Sequence, residues 1–69
     1  MKHERRHHVA DYRTRDGRTG WVEFYSSAQT WRGLCRTART QIYQQSFFKL
    51  GQMVMPEEIA FLIVDGNAA

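Results

Sequence analysis

The chain has 69 residues, a net charge of +3 and a single cysteine. A chain of this length buries only about 60% of its unfolded surface, so it forms one domain with a marginal core, and one cysteine excludes an internal disulfide as compensation. No apolar run is long enough to cross a bilayer and no signal-peptide core follows the basic start, so a cytoplasmic protein is expected.

Residues 1–8, MKHERRHH, carry no apolar side chain after Met1 and are expected to form a disordered basic arm. His3, His7 and His8 are metal-ligand types, but a mobile arm without a cysteine does not preset ligand geometry, and no metal site is assigned. The charge is uneven along the chain. The first eighteen residues hold six Lys or Arg against three acids, whereas the stretch after Gly51 is purely acidic. Such asymmetry points to one face for an anionic partner.

Residues 9–66 are expected to form the single folded domain, with 67–69 a tail. From Val9 to Tyr25, two strand-like runs, VADYRT and GWVEFY, flank Asp16-Gly17, a strong hairpin signal. A three-residue loop Arg15-Asp16-Gly17, with Gly in the left-handed position, groups Ala10 and Tyr12 with Val22 and Phe24 on one face. A two-residue loop would instead set Asp11 beside Val22, so the odd loop is the consistent choice. The other face then carries Asp11, Arg13, Trp21, Glu23 and Tyr25, with Arg15 and Arg18 at the tip.

Ser26 to Leu50 has the periodicity of one long helix. Ser26-Ser27-Ala28-Gln29 has the form of a capping box, and Gly51 supplies a stop. Trp31, Leu34, Cys35, Ala38 and Ile42 fall on one stripe about 100° wide, the width of a core-facing helix side. Cys35 on that stripe reads as a small buried hydrophobe. The stripe breaks at Gln45, and Phe47-Phe48 is expected to pack against a second surface. Beside it, Arg32, Arg36, Arg39 and Tyr43 share an arc of about 60°. No Asp or Glu occurs between Phe24 and Pro56, so none of these arginines has an acidic partner within the helix. An unpaired guanidinium row suits phosphates, which its forks hold bidentately.

Pro56-Glu57-Glu58 could open a helix, but Ile59 to Val64 is short, β-rich and bounded by Asp65-Gly66-Asn67, which favours a strand. Its apolar residues face both ways, Ile59, Phe61 and Ile63 on one side and Leu62 and Val64 on the other. The first set is assigned to the core.

The expected fold is α+β: a β-hairpin, one long α-helix and a C-terminal strand (ββαβ), forming a three-stranded antiparallel sheet packed on the helix. No nucleophile–base pair, carboxylate couple, phosphate loop or cofactor motif is legible, so no enzyme and no cofactor are expected. The small size and hairpin–helix–strand order resemble accessory proteins of phages and plasmids, a resemblance of size and element order only. The functional expectation is a nucleic-acid-binding or regulatory protein that uses Arg13, Arg15, Arg18, Arg32, Arg36, Arg39 and Tyr43. The alternative is a module or inhibitor docking a protein, for instance one with an acidic surface, through the hairpin aromatics. Trp21, Tyr25, Phe61 and Leu62 are assigned to protein contact, and the surplus apolar surface predicts a homodimer.

Overall fold

A computed structural model of the protein describes residues 4–50 and 52–69. β1 (Arg6–Thr14) and β2 (Thr19–Ser26) form the hairpin, α1 (Trp31–Gln45) follows, and β3 (Ile59–Val64) and β4 (Asn67–Ala68) complete a four-stranded antiparallel sheet in the order β2-β1-β3-β4. The architecture is the expected α+β one, with a short fourth strand added at the edge.

The hairpin closes as its pattern predicts. Ala10 pairs with Val22 and Tyr12 with Gly20, the Thr14 amide donates to the Arg18 carbonyl at 2.8 Å, and Gly17 has φ +91°. The loop is therefore Arg15-Asp16-Gly17, with glycine where a side chain would be strained. Gly20 has a separate reason to lack a side chain. A Cβ there would lie within 3.0 Å of three atoms of the Tyr12 ring and hydroxyl, so the ring covers the space opposite.

β1 starts at Arg6, so His7 and His8, expected in the arm, belong to the sheet. Their backbones are paired with Tyr25 and Phe24, which is why polar side chains alone did not keep them out of the strand. Residues 1–3 of the expected arm, and Gly51 as a helix stop, lie outside the described residues.

The helix begins five residues later than expected. Ser26 is the last residue of β2, paired with Arg6, and its hydroxyl accepts from Ala28 N–H rather than capping a helix. Thr30 is the N-cap, in extended conformation, and accepts from Gly33 N–H at 3.0 Å. After Gln45 the chain widens into a π-helical turn, Ser46–Leu50. The buried Ser46 hydroxyl donates to Tyr43 O and accepts from Val54 N–H at 2.9 Å, tying the returning chain to the helix end. Phe47 and Phe48 find no second surface. They remain exposed and meet each other edge to face at 5.2 Å.

The core comprises Ala10, Tyr12, Val22, Phe24, Cys35, Ala38, Ile42, Val54, Leu62 and Val64. Three assignments change. Trp31, at the first helical position, is exposed because it borders an open cleft with Arg6, His8 and Ser26 at the end of the sheet rather than packing into the core. Val54, between two methionines, enters the core from the loop. In β3 the two faces are reversed: Leu62 and Val64 are buried, while Phe61 is exposed and Ile63 half-buried. Pairing decides this, since Leu62 sits opposite Tyr12 and Val64 opposite Ala10, both core-facing. A strand apolar on both sides carries no parity of its own. A bulge where Arg13 pairs with Phe61 and Thr14 with Ile59 lets Ile59 rejoin the core side.

Asp65-Gly66 forms a two-residue turn with positive φ at both positions, +52° and +83°, and so makes a hairpin of β3 and β4. Asp65 also holds β1. Its carboxylate accepts from Val9 N–H at 3.0 Å and lies 2.6 Å from His8 Nδ1, while its own N–H donates to Val9 O at 2.8 Å. Burial alone would raise its carboxyl pKa, but the hydrogen bonds from His8 and Val9 outweigh it and hold the value below 3.8.

Two outcomes are expected. Leu62→Glu places a carboxylate in the core and should abolish the cooperative thermal transition, at a cost on the order of 3 kcal/mol or more. Phe61→Glu, one residue away on the other face, should keep the native circular dichroism. The second concerns acid. A depressed carboxyl contributes stability that is complete above its unfolded pKa and is lost as pH falls through the folded one. Melting temperature should therefore drop as pH falls below about 3.8, and Asp65→Asn should lower it at neutral pH while flattening that acid limb. An unchanged acid limb in the Asn variant would show that Asp65 is not the titrating clamp.

Candidate functional site

The helix covers one face of the sheet, and because strand side chains alternate, the predicted functional residues divide between two opposite surfaces.

The first surface is the flank of α1 that faces the 3₁₀ turn Pro56–Glu58. Arg32, Arg36 and Arg39 recur about once per turn, so their Cα atoms span roughly 10 Å along the axis. With Thr40 and Pro56 they line a shallow cleft of about 410 Å³. Arg32 and Arg36 are exposed, whereas Arg39 and Tyr43 are half-buried, which gives the lower part of the row a fixed base. Thr40 hydrogen-bonds back to Arg36 O at 3.2 Å. The decisive feature is electrostatic. Among the described residues, no carboxylate lies within 4 Å of these three guanidiniums, and the ion pairs are His7–Glu23, His8–Asp65, Arg18–Asp16 and Arg18–Glu58.

Three further arginines were grouped with this ridge, and the structure separates them. Arg15 is exposed at the hairpin tip, whose backbone docks on the 3₁₀ turn by an Arg15 N–H to Glu58 O bond of 3.0 Å. Arg18 is held by Asp16 through two bonds of 3.1 Å and by Glu58. The Asp16 carboxylate raises the Arg18 pKa. Asp16 is itself held below the usual carboxylate range, first by its Thr14 hydrogen bond and then by Arg18. Arg18 thus has its charge matched internally and is not available to a phosphate on the same terms as the ridge. Asp16, two residues away, is a local part of this matching, but Glu58 lies forty residues away and is not legible locally. Arg13 projects from the opposite side of the sheet, with its guanidinium 5.6 Å from the centre of the Phe61 ring.

The second surface is the open face of the sheet. Trp21, Glu23 and Tyr25 from β2, His7, Val9, Asp11 and Arg13 from β1, and Phe61 and Ile63 from β3 share it by register. Trp21 is 62% exposed, Tyr25 59% and Phe61 47%, so no element among the described residues covers them. Leu62, assigned to protein contact alongside them, is buried beneath the helix and does not reach this face. His7 lies 3.3 Å from Glu23 and 5.3 Å, ring to ring, from Tyr25. His8, the next residue, points to the helix side and its ring lies 5.5 Å from that of Phe24. The two histidines cannot close on one ligand.

Cys35 is buried in the core, and every described histidine lies in β1. Among the described residues, no helix is long and apolar enough to cross a membrane. Comparison of the chain with protein-family models, with curated proteins and with solved structures found no match. What the geometry defines is a one-helix, open-faced α+β domain with a basic helix flank and an aromatic sheet face.

Proposed function

We propose that the protein is a non-catalytic binder of nucleic acid, engaging the phosphate backbone through Arg32, Arg36 and Arg39, with Tyr43 at the lower end of the row. The observation that carries this reading is the ridge itself: three guanidiniums on one helix flank with no carboxylate within 4 Å among the described residues. Side chains left with unmatched charge on a rigid helix are preorganised for phosphate, and the forked donors favour bidentate contacts. Arg15, at the hairpin tip whose backbone docks on the same 3₁₀ turn, would add to the positive surface. Contacts of this kind set position and affinity rather than base sequence, so little sequence preference is expected.

A second reading rests on the open sheet face, where Trp21, Tyr25 and Phe61 stand exposed. Aromatics are among the commonest anchors of protein interfaces, and this face would serve a protein-docking module. The two readings use opposite sides of the sheet, so variants on one side leave the other intact.

Fluorescence anisotropy with labelled duplex DNA and single-stranded RNA at two salt concentrations tests the first. Each neutralised phosphate on duplex should contribute about 0.9 log unit of affinity per tenfold change in salt. Arg32→Ala with Arg36→Ala should therefore weaken binding and lower the salt slope by roughly two contacts. Absence of binding at low salt, or an unchanged slope in the double variant, rejects the ridge as a phosphate site.

A further inference from the structure

We infer that the open face of the sheet is a self-association surface whose occupant is a second copy of this chain, packed sheet against sheet about a two-fold axis. The inference rests on the second reading, that this face docks a protein, and names the protein.

The charge pattern of the central strand points to this partner. Asp11 and Arg13 are both exposed on the open face, two residues apart and opposite in sign. Neither has an ion-pair partner among the described residues. A two-fold axis lying in the plane of the face and crossing β1 at right angles near Tyr12 reverses the strand direction of the second copy. Asp11 then meets the partner's Arg13, and Arg13 the partner's Asp11, the reciprocal pairing that an isologous interface requires. Phe61 sits opposite Arg13 on β3 and Ile63 opposite Asp11. The same operation therefore sets Phe61 against the partner's Ile63, aromatic against β-branched, in both halves. Trp21, paired with Asp11 on β2, falls over the partner's Thr19.

The alternatives fit less well. Asp11 and Glu23 place two carboxylates on this face against one guanidinium and a histidine, which disfavours a polyanion here. The face is also nearly balanced in charge, as a surface that meets its own copy must be. Its size sets the expected strength. With the axis at Tyr12, residues 10–14 of β1 and their neighbours on β2 and β3 overlap, roughly 250 Å² of sheet per protomer, well below the approximately 800 Å² typical of a stable complex. The dimer should therefore dissociate on dilution. Both helices lie on the outer layers of such an assembly, so the arginine ridges stay open in it.

Sedimentation equilibrium of the full chain, from low micromolar to several hundred micromolar at low salt, is the test. The wild type should shift from monomer to dimer across this range. Asp11→Arg and Arg13→Asp should each weaken self-association at least tenfold, because each makes the exchanged pair like-charged. Mixed in equal amounts, the two variants should recover a dimer mass, since the positive β1 of one meets the negative β1 of the other. Circular dichroism checks that the variants are folded, and Phe61→Glu provides an independent variant on the same face, also expected to be monomeric. A wild type that stays monomeric throughout, or an Asp11→Arg variant that dimerises as the wild type does, overturns the inference and leaves the face to a different partner. Nucleic-acid binding by the Asp11→Arg variant should persist, which keeps this outcome separate from failure of the ridge.

Discussion

Everything in this domain depends on β1 being an inner strand. It pairs with β2 on one side and β3 on the other, and Ala10, fully buried, faces Val22 and Val64 across both ladders. Because side chains on a strand alternate, the parity of this one residue sets the parity of its neighbours. Ala10 and Tyr12 turn toward the helix, so Val22, Phe24, Leu62 and Val64 must do the same. Asp11 and Arg13 turn away, and they carry Trp21, Phe61 and Ile63 to the open side with them. The Asp65 clamp on Val9 and His8 secures the start of that strand, and the Arg18–Glu58 contact secures its end.

The second constraint is economy of chain. One helix of fifteen residues can cover one side of the sheet and no more. Its own core stripe reduces to Cys35, Ala38 and Ile42, and the remaining closure comes from Val54 and Ser46 at the far end. A domain built this way has two surfaces with different chemistry. The helix flank is basic because α1 carries no acid of its own, and four of the acids outside it are paired elsewhere: Asp16 and Glu58 on Arg18, Glu23 beside His7, and Asp65 beside His8. The sheet face is aromatic because it has no cover. Function is read from these two consequences of the packing rather than from any catalytic constellation.

Local signals were legible in the amino-acid sequence wherever the deciding interaction spans a few residues. The Arg15-Asp16-Gly17 loop and the alternation on either side determined the hairpin register, since a glycine with positive φ and a consistent apolar face admit one solution. Helical periodicity placed Cys35, Ala38 and Ile42 inward and Arg32, Arg36 and Arg39 together on one flank. The Asp65-Gly66 turn was equally local. It is the same dipeptide that signals the first hairpin, here read as the end of a strand although it opens β4.

What only the tertiary structure decided are the contacts between distant segments. Serine and glutamine at 26–29 form a sound capping pattern, yet pairing of Ser26 with Arg6 extends the strand and moves the cap to Thr30. Trp31 lies on the apolar stripe, but a stripe gives direction and not whether anything lies beneath it. Arg18 has a local partner in Asp16, but its second carboxylate, Glu58, arrives from across the chain. Most plainly, IAFLIV is apolar on both sides, and its two orientations are equivalent until β1 chooses between them. Composition and periodicity describe what each segment can present, because those properties are set by neighbours in the chain. Which side is presented, and which charge remains unmatched, is set by partners in space, and for Phe61, Leu62 and Arg18 that partner is many residues away.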